Sequence, residues 1–585
     1  MATLRVVLDE SPQQPDANWI MGTLLASSGQ LQGGIQHLER AVRNAPENAQ
    51  MAYQLGALYS AAGQFNPSVQ MMQRAVQLAP TWHVALNGLA TAMYAAGYYD
   101  DADKLYRRSI EANPNQVEAA MGLAGMLMVG GRPQEAVTLF RRAAQAWPGN
   151  PQVIGKLASA LNYAHDADPQ ELAMAHRIWG QAVMAPLKDE SAPAFENARD
   201  PERPIVVGLL SPDLFDHSVA YFLRSFLESR ERERVKVVVY NISPRADAMT
   251  VALKGSADAW HDYAGRPEEE IATLIRTDGV DILLELAGHT SGNSLMILRR
   301  RCAPVQATYI GYPNTTGLPT IDYRIVDAIT DPPSSDALNT EKLIRLDGCF
   351  LCYTPPAGAP AVTAPPCLGE IAQKAGEGWD TGWFMDDRPV TFGSFNSIRK
   401  IGPATVDLWA KVLNAVPGSR LLLKTRGIGT PYAQRNLGQQ FVAAGIDPQR
   451  IGMTETVEDK REHWGWYNRV DIALDTTPYN GTTTTCEALW MGVPVVTLEG
   501  SLHAGRVGAS LLTAAGLKDH IARDHDGFVR IASALAADKT ALAKLRAGMR
   551  DRLSGSQLCD RPAYARRMET ALRGMWREWC SGNRA

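Results

Sequence analysis

The stretch Tyr479-Asn480-Gly481-Thr482-Thr483-Thr484-Thr485-Cys486-Glu487-Ala488-Leu489-Trp490-Met491-Gly492-Val493-Pro494-Val495-Val496-Thr497 reads as a polar loop, a helix, a short turn and a strand. The preceding run, Val470-Asp-Ile-Ala-Leu-Asp475, reads as another strand. Strand, loop, helix and strand in this order are the unit of a parallel α/β sheet. One glycine and four threonines stand where the helix starts. A helix N-terminus offers unpaired N–H groups and a partial positive charge. Threonine hydroxyls add donors there, and Gly481 permits close approach to the backbone. The segment therefore fits an anion site, most naturally for a phosphate or diphosphate. It fits a Thr-capped helix in an ordinary parallel sheet equally well, and the segment alone does not choose.

Outward from this stretch, the same alternation runs from Pro204 onward. Residues 205–210, 235–242, 281–286 and 306–310 read as strands, and so do 390–392, 420–424 and 450–453. A stretch rich in Pro and Ala, residues 355–366, divides the series. The expectation is two Rossmann-like lobes at 204–354 and 388–585, joined by a linker at 355–387, with a ligand cleft between them. Ligands of such sheets lie beyond the carboxyl ends of the strands. Asn480, Gly481, Thr482, Thr483, Thr484 and Thr485 stand there, as does Asn396-Ser-Ile-Arg-Lys400. Lys400 could neutralise a leaving diphosphate, or be a solvated surface lysine. Lys460, His463 and Glu487 form a looser group. A carboxylate one turn into the helix can bind ribose hydroxyls, and an imidazole can stack on a base. His217, after the first strand and at a helix start, could serve as general base, bind the donor or cap the helix. His289 in Gly288-His-Thr is a second candidate. Asp524-His-Asp526 has the Asp-x-Asp spacing of some metal-dependent glycosyltransferases but follows no predicted core strand, so it reads as a surface loop.

The first quarter of the chain is a repeat. Gly29, Gly63, Gly97 and Gly131 are spaced by 34 residues, as are Pro46, Pro80, Pro114 and Pro148. Gly22, Gly56, Ala90 and Ala124 keep the same register, as do Ala41, Ala75, Ser109 and Ala143. Two amphipathic helices per unit with this period are the tetratricopeptide pattern. The small residues at 22, 56, 90 and 124 let the first helix of each unit pack closely on the second. The array is expected over 15–185, as four clear units and a degenerate capping fifth, with a linker at 186–203. Its concave face suits a peptide or protein; a structural or dimerising spacer is the other reading.

Bulk properties narrow the classes. The 585 residues allow about three or four domains. A net charge of −4 carries no polyanion-binding signature, which argues against nucleic acid as a primary partner. No run approaches the roughly 18 apolar residues of a membrane span, and no signal peptide is expected. Seven scattered cysteines suggest a reducing compartment, and Cys349-Phe-Leu-Cys352 lies among apolar neighbours that favour buried thiols.

Together these residues resemble the protein O-glycosyltransferases that join tetratricopeptide repeats to a GT-B catalytic region, the superfamily of O-GlcNAc transferase and SPINDLY. The likeness is greatest to SPINDLY. It rests on Ser211-Pro-Asp with His217-Ser-Val, Gly288-His-Thr, Gly311-Tyr-Pro-Asn-Thr-Thr-Gly-Leu-Pro-Thr320, Asp331-Pro-Pro, Cys349-Phe-Leu-Cys-Tyr-Thr-Pro355, Phe392-Gly-Ser-Phe-Asn396 and Gly481-Thr-Thr-Thr-Thr-Cys-Glu487. The resemblance implies inverting transfer from a nucleotide sugar to Ser or Thr of a protein, in the cytoplasm, with no metal and no cofactor beyond the donor. It implies a diphosphate lysine at Lys400, a phosphate-binding helix start at Thr482, Thr483 and Thr484, and a ribose carboxylate at Glu487. Lys460 and His463 match nucleoside-binding residues, His217 an active-site histidine, and Asp278 an aspartate proposed to act in proton transfer. His217-Ser218, Pro313-Asn-Thr-Thr-Gly317 and Thr482 depart from the O-GlcNAc transferase pattern toward SPINDLY, whose plant members resemble a GDP-fucose enzyme. GDP-fucose and UDP-GlcNAc are therefore both expected donors. Flagellin-type transfer of another sugar, transfer to lipid or small molecules, and a scaffold with an inactive lobe are the alternatives.

Overall fold

The structure is a computed structural model, and it describes residues 1–191, 193–368 and 389–582. The chain forms two compact units, one of residues 1–130 with 135–147, the other of residues 131–134 with 148–585.

The first unit is the helical repeat array. Its helices pair as Pro15–Ser27 with Leu31–Asn44, Ala49–Ala61 with Phe65–Leu78, and His83–Ala95 with Tyr99–Ala112. Val117–Val129 and Pro133–Ala146 follow, and Ala2–Glu10 precedes the array. The glycine column has a backbone reason: Gly29, Gly63, Gly97 and Gly131 turn between helices at φ of 83°, 73°, 88° and 75°, where a side chain would be strained. The small-residue column has a packing reason. A Cβ at Gly22 would stand 2.8 Å from the Gly34 carbonyl oxygen, and one at Gly34 would meet the Gly22 carbonyl equally closely.

The second unit holds two parallel sheets. Strands β1 (Ile205–Ser211), β2 (Val235–Asn241), β3 (Ala259–Asp262), β4 (Ile282–Glu285), β5 (Val305–Thr308), β6 (Tyr323–Asp327) and β7 (Lys342–Leu346) form the first. Strands β8 (Thr391–Ser394), β9 (Arg420–Lys424), β10 (Ile451–Thr454), β11 (Ile472–Leu474), β12 (Val495–Leu498) and β13 (Ile521–Ala522) form the second. The orders are β3-β2-β1-β4-β5-β6-β7 and β10-β9-β8-β11-β12-β13. Each sheet therefore reverses direction once, between β1 and β4 and between β8 and β11. Apolar β-branched runs supply the interior: Ile205, Val207, Leu209, Val235, Val237 and Val239 are all buried.

Two boundaries differ from those expected. The degenerate fifth repeat, Pro151–Leu161 with Pro169–Met184, belongs to the second unit. Ile154, Trp179 and Val183 share a core with Leu210, Ile275 and Leu318 of the first lobe. The C-terminal helix Arg561–Cys580 was expected within the second lobe but packs on the first. It lies against the Ser218–Ser229 helix and β7, with its Tyr564 hydroxyl bonded to that of Tyr309. The linker expected at 355–387 is described as far as residue 368, and its remainder lies outside the described residues. Cys349 and Cys352 are buried free thiols, pushed up to about 12 and about 11 by burial, as their apolar neighbours suggested.

Candidate active site

The carboxyl ends of β8 and β11 bring the predicted phosphate segment and Lys400 together. After β11 the chain passes Asp475 and enters the helix Thr483–Trp490, whose N-cap residue Thr482 makes no side-chain capping bond. The Thr483 hydroxyl oxygen is buried and has no hydrogen-bond partner among the described residues. A buried hydroxyl without a partner is costly unless a ligand satisfies it. Thr484 Oγ1 donates to Asn396 Oδ1 at 2.7 Å, which ties the loop after β8 to this helix start. A Cβ at Gly481 would stand 2.6 Å from Thr484 Oγ1, 2.8 Å from Thr485 Oγ1 and 2.9 Å from Asn396 Oδ1. Only glycine leaves this polar cluster intact.

Lys400 ends a short turn, Ile398–Lys400, after β8. Its ammonium donates to the Asn480 carbonyl at 2.7 Å and sits 3.9 Å from the centre of the Tyr479 ring. Tyr479 packs in turn on Tyr163, with ring centres 5.0 Å apart. Burial pulls the Lys400 ammonium down to about 8, and the nearby Asp475 carboxylate opposes that fall. Lys400 is thus a partly buried cation at the loop between two strand ends, not a solvated surface lysine.

Asn480 contributes differently from expectation. Its side chain is consumed within the fold, donating to the Thr476 carbonyl at 2.9 Å and accepting from Gly508 N–H at 3.2 Å. Only its carbonyl faces Lys400. The residue that organises the turn is Asp475, which the sequence reading passed over as a strand end. It accepts from Gly481 N–H at 2.6 Å, Thr476 N–H at 2.9 Å and Thr497 Oγ1 at 2.8 Å, and burial raises it to about 6. Glu285 plays the same part in the first lobe. It accepts from the N–H groups of Ala287 and Gly288 at 2.6 and 2.7 Å and from Thr308 Oγ1 at 2.9 Å. Burial pushes it up to about 7. Nothing in its sequence neighbourhood signalled this.

At the other end of the cleft, Glu487 receives Trp464 Nε1–H at 3.2 Å, His463 Nε2 at 3.3 Å and the Tyr467 hydroxyl at 3.4 Å. His463 and Glu487 are therefore brought together as expected. Lys460 stands on the same helix as His463, and its ammonium pairs with Asp216 of the first lobe at 3.2 Å. The cation touching His463 is Lys424, the last residue of β9, at 2.6 Å. Lys460 opens the helix Lys460–Gly465, whereas Lys424 ends strand β9.

His217 caps the Ser218–Ser229 helix, its Nδ1 accepting from Val219 N–H at 3.4 Å, with Asp213 Oδ2 3.9 Å from the same nitrogen. Nε2 has no protein partner among the described residues. Because Nδ1 accepts, a neutral ring carries its hydrogen on Nε2 and offers a donor there. His289 is half-buried beside His176, Trp179 and Tyr312, donates from Nε2 to the Thr316 carbonyl at 2.7 Å, and is held down to about 4 by burial.

Asp278 is not brought to this group. It ends the Glu268–Thr277 helix, which returns from the carboxyl edge of the first sheet to its amino edge ahead of β4. There it accepts from the Tyr240 hydroxyl at 2.9 Å and lies 3.6 Å from His261. Asp524 does follow a strand, the edge strand β13, but it caps the His525–Ala537 helix, accepting from Gly527 N–H at 2.6 Å. Among the described residues no group of three His, Cys, Asp or Glu is placed to hold a metal ion.

The profile of Glycosyl transferase family 41 matches residues 187–353 and 381–568, which span both sheets and this site. The chain belongs to glycosyltransferase family 41. Tetratricopeptide repeat profiles match residues 49–81 and 87–151. The family 41 relative from Arabidopsis thaliana, "Probable UDP-N-acetylglucosamine--peptide N-acetylglucosaminyltransferase SPINDLY", is 42% identical over 431 residues. That match covers 72% of this chain and 45% of the relative. The peptide N-acetylglucosaminyltransferase of Caenorhabditis elegans is 27% identical over 476 residues, covering 64% of this chain and 41% of its own. The chain thus spans less than half the length of these curated relatives. Among solved family structures, a mutant of the Thermobaculum terrenum O-GlcNAc transferase superposes with a TM-score of 0.78 at 32% identity, covering 91% of this chain and 98% of that one.

Proposed function

We propose that this chain is a protein O-glycosyltransferase that moves a sugar from a nucleoside diphosphate sugar to a serine or threonine hydroxyl of a polypeptide. The carrying observation is the Thr482–Thr484 helix start, uncapped and with a buried, unpartnered Thr483 hydroxyl, beside the Lys400 ammonium. These groups suit a diphosphate leaving group. Charge builds on its bridging oxygen as the sugar departs, and fixed donors in a poorly hydrated site stabilise that charge without having to reorganise.

The rest of the site sorts around that centre. Glu487 and His463 suit the nucleoside, His217 Nε2–H suits a donor phosphate or sugar oxygen, and the helical repeats suit an extended acceptor polypeptide. Attack from the face opposite the leaving group would invert the anomeric centre. Lys400 and the helix start supply the positive charge a divalent metal would otherwise bring, so the reading needs no metal. The names of the relatives favour a UDP-GlcNAc donor, while Thr482, His217-Ser218 and Asn314-Thr-Thr316 keep the likeness to SPINDLY that pointed to GDP-fucose. Incubation with UDP- and GDP-sugars in turn, with a peptide library as acceptor and mass spectrometry of the products, tests the reading. Transfer of one sugar to peptide hydroxyls supports it, and nucleotide binding without any transfer contradicts it.

A further inference from the structure

Lys424 lies at the carboxyl end of β9 with its side chain enclosed. Its ammonium is 2.6 Å from His463 Nδ1 and 5.3 Å from the centre of the Phe395 ring, and it has no other protein acceptor among the described residues. With the ammonium charged, Nδ1 of His463 can only accept. The ring hydrogen must then sit on Nε2, which faces Glu487 Oε2 at 3.3 Å. Trp464 Nε1–H and the Tyr467 hydroxyl reach the same carboxylate at 3.2 and 3.4 Å. A carboxylate has about four lone-pair positions, so three protein donors leave one for a ligand hydroxyl. Burial lowers Lys424 to about 8, with Glu487, Glu462 and Glu455 opposing that fall and Lys460 adding to it.

We propose that Lys424 is a positioning residue for the nucleoside half of the donor site, holding His463 in the tautomer that aims Glu487 at the ribose. This rests on the reading of the cleft as a nucleotide-sugar site. Lys424 acts through His463, and the two ammonium hydrogens that His463 does not take are available to a base or ribose acceptor. Lys460 bridges to Asp216 of the first lobe and acts on Lys424 from across the site.

The test is calorimetric titration of GDP and UDP into the full chain, with steady-state kinetics on the donor. For whichever nucleotide the wild type binds, Lys424→Met should raise Kd and donor KM about tenfold or more and change kcat less than about threefold. Lys424→Arg, which keeps a cation able to donate to Nδ1, should recover most of the loss. A Kd within about twofold of wild type in Lys424→Met, or a loss of kcat at unchanged KM, overturns the proposal. Should Lys424→Met fail to fold, His463→Phe removes the same relay with a ring of similar shape, and unaltered nucleotide affinity there is equally contradictory. Failure of the wild type to bind either nucleotide would instead overturn the functional reading itself.

Discussion

The Lys400 ammonium donates to the carbonyl oxygen of Asn480 at 2.7 Å, so a cation borne on the loop after β8 is held against the backbone of the loop after β11. This contact crosses the point at which the second sheet reverses direction, where ligands of doubly wound sheets bind. It places positive charge beside the Thr482–Thr484 helix start before any donor arrives.

Lys400→Ala should lower turnover by about two to three orders of magnitude, the size of a removed electrostatic transition-state contact. The unfolding midpoint should change little, because a cation pulled down by burial contributes no large stabilisation to the fold. Steady-state kinetics beside thermal unfolding check both halves.

The pH profile follows from the same residue. The free enzyme holds Lys400 at about 8, so its charged form is lost as pH rises through that value, and kcat/KM for the donor should fall there. Lys424, also at about 8, titrates in the same direction. Asp475→Asn keeps an oxygen for Gly481 and Thr476 but removes the carboxylate that favours the Lys400 cation. The alkaline limb should then move to lower pH. A limb that stays in place would show that Lys400 does not set it.

His217 separates two roles by substitution. Because its Nδ1 accepts from Val219 N–H, its free Nε2 is a donor in the neutral ring. Glutamine can replace a donor but not a base, so His217→Gln should keep about tenfold more activity than His217→Ala. Equal, near-complete loss in both variants would mark His217 as the base.

The two lobes share a buried ionic contact. Asp331, after β6, accepts from Arg324 at 3.1 Å and pairs with His503, after β12. The Arg324 guanidinium and the His503 ring beside Asp331 hold its carboxyl well below the usual range despite burial. Its contribution to stability is therefore present above the ordinary carboxylate range and lost as pH falls through the depressed value. Asp331→Ala leaves Arg324 buried without its anion and should destabilise the catalytic unit by about 3–5 kcal/mol. Chemical denaturation of wild type and variant at pH 7 measures the difference, and a change under about 1 kcal/mol would contradict it.

The repeat array and most strands were legible because each leaves a periodic trace. Gly29, Gly63, Gly97 and Gly131 recur for a backbone reason that acts once per unit. The strands that escaped notice have mixed composition. β3 is Ala-Trp-His-Asp at a sheet edge, β7 is a half-exposed edge strand, and β6 carries Arg324 and Asp327, which are buried but paired. Charged residues normally read as surface, and only their distant partners reveal otherwise. The same holds within the site. Local pattern pointed to Thr482, Thr483 and Thr484 as a helix start, and it left Lys400 open between a cleft cation and a surface lysine. Asp475, Glu285 and Lys424 act through partners on other elements, as Lys424 does with His463, 39 residues on. Asp278 rested on the family resemblance alone, and the direction of its helix places it at the opposite edge of the sheet.

The central claim is a donor diphosphate held between Lys400 and the Thr482–Thr484 helix start. The most direct measurement is donor hydrolysis by the full chain across UDP- and GDP-sugars, in wild type and Lys400→Ala. The account predicts cleavage of one donor class by wild type and its reduction by at least about a hundredfold in the variant. Equal cleavage by both proteins, with the variant folded, would contradict it.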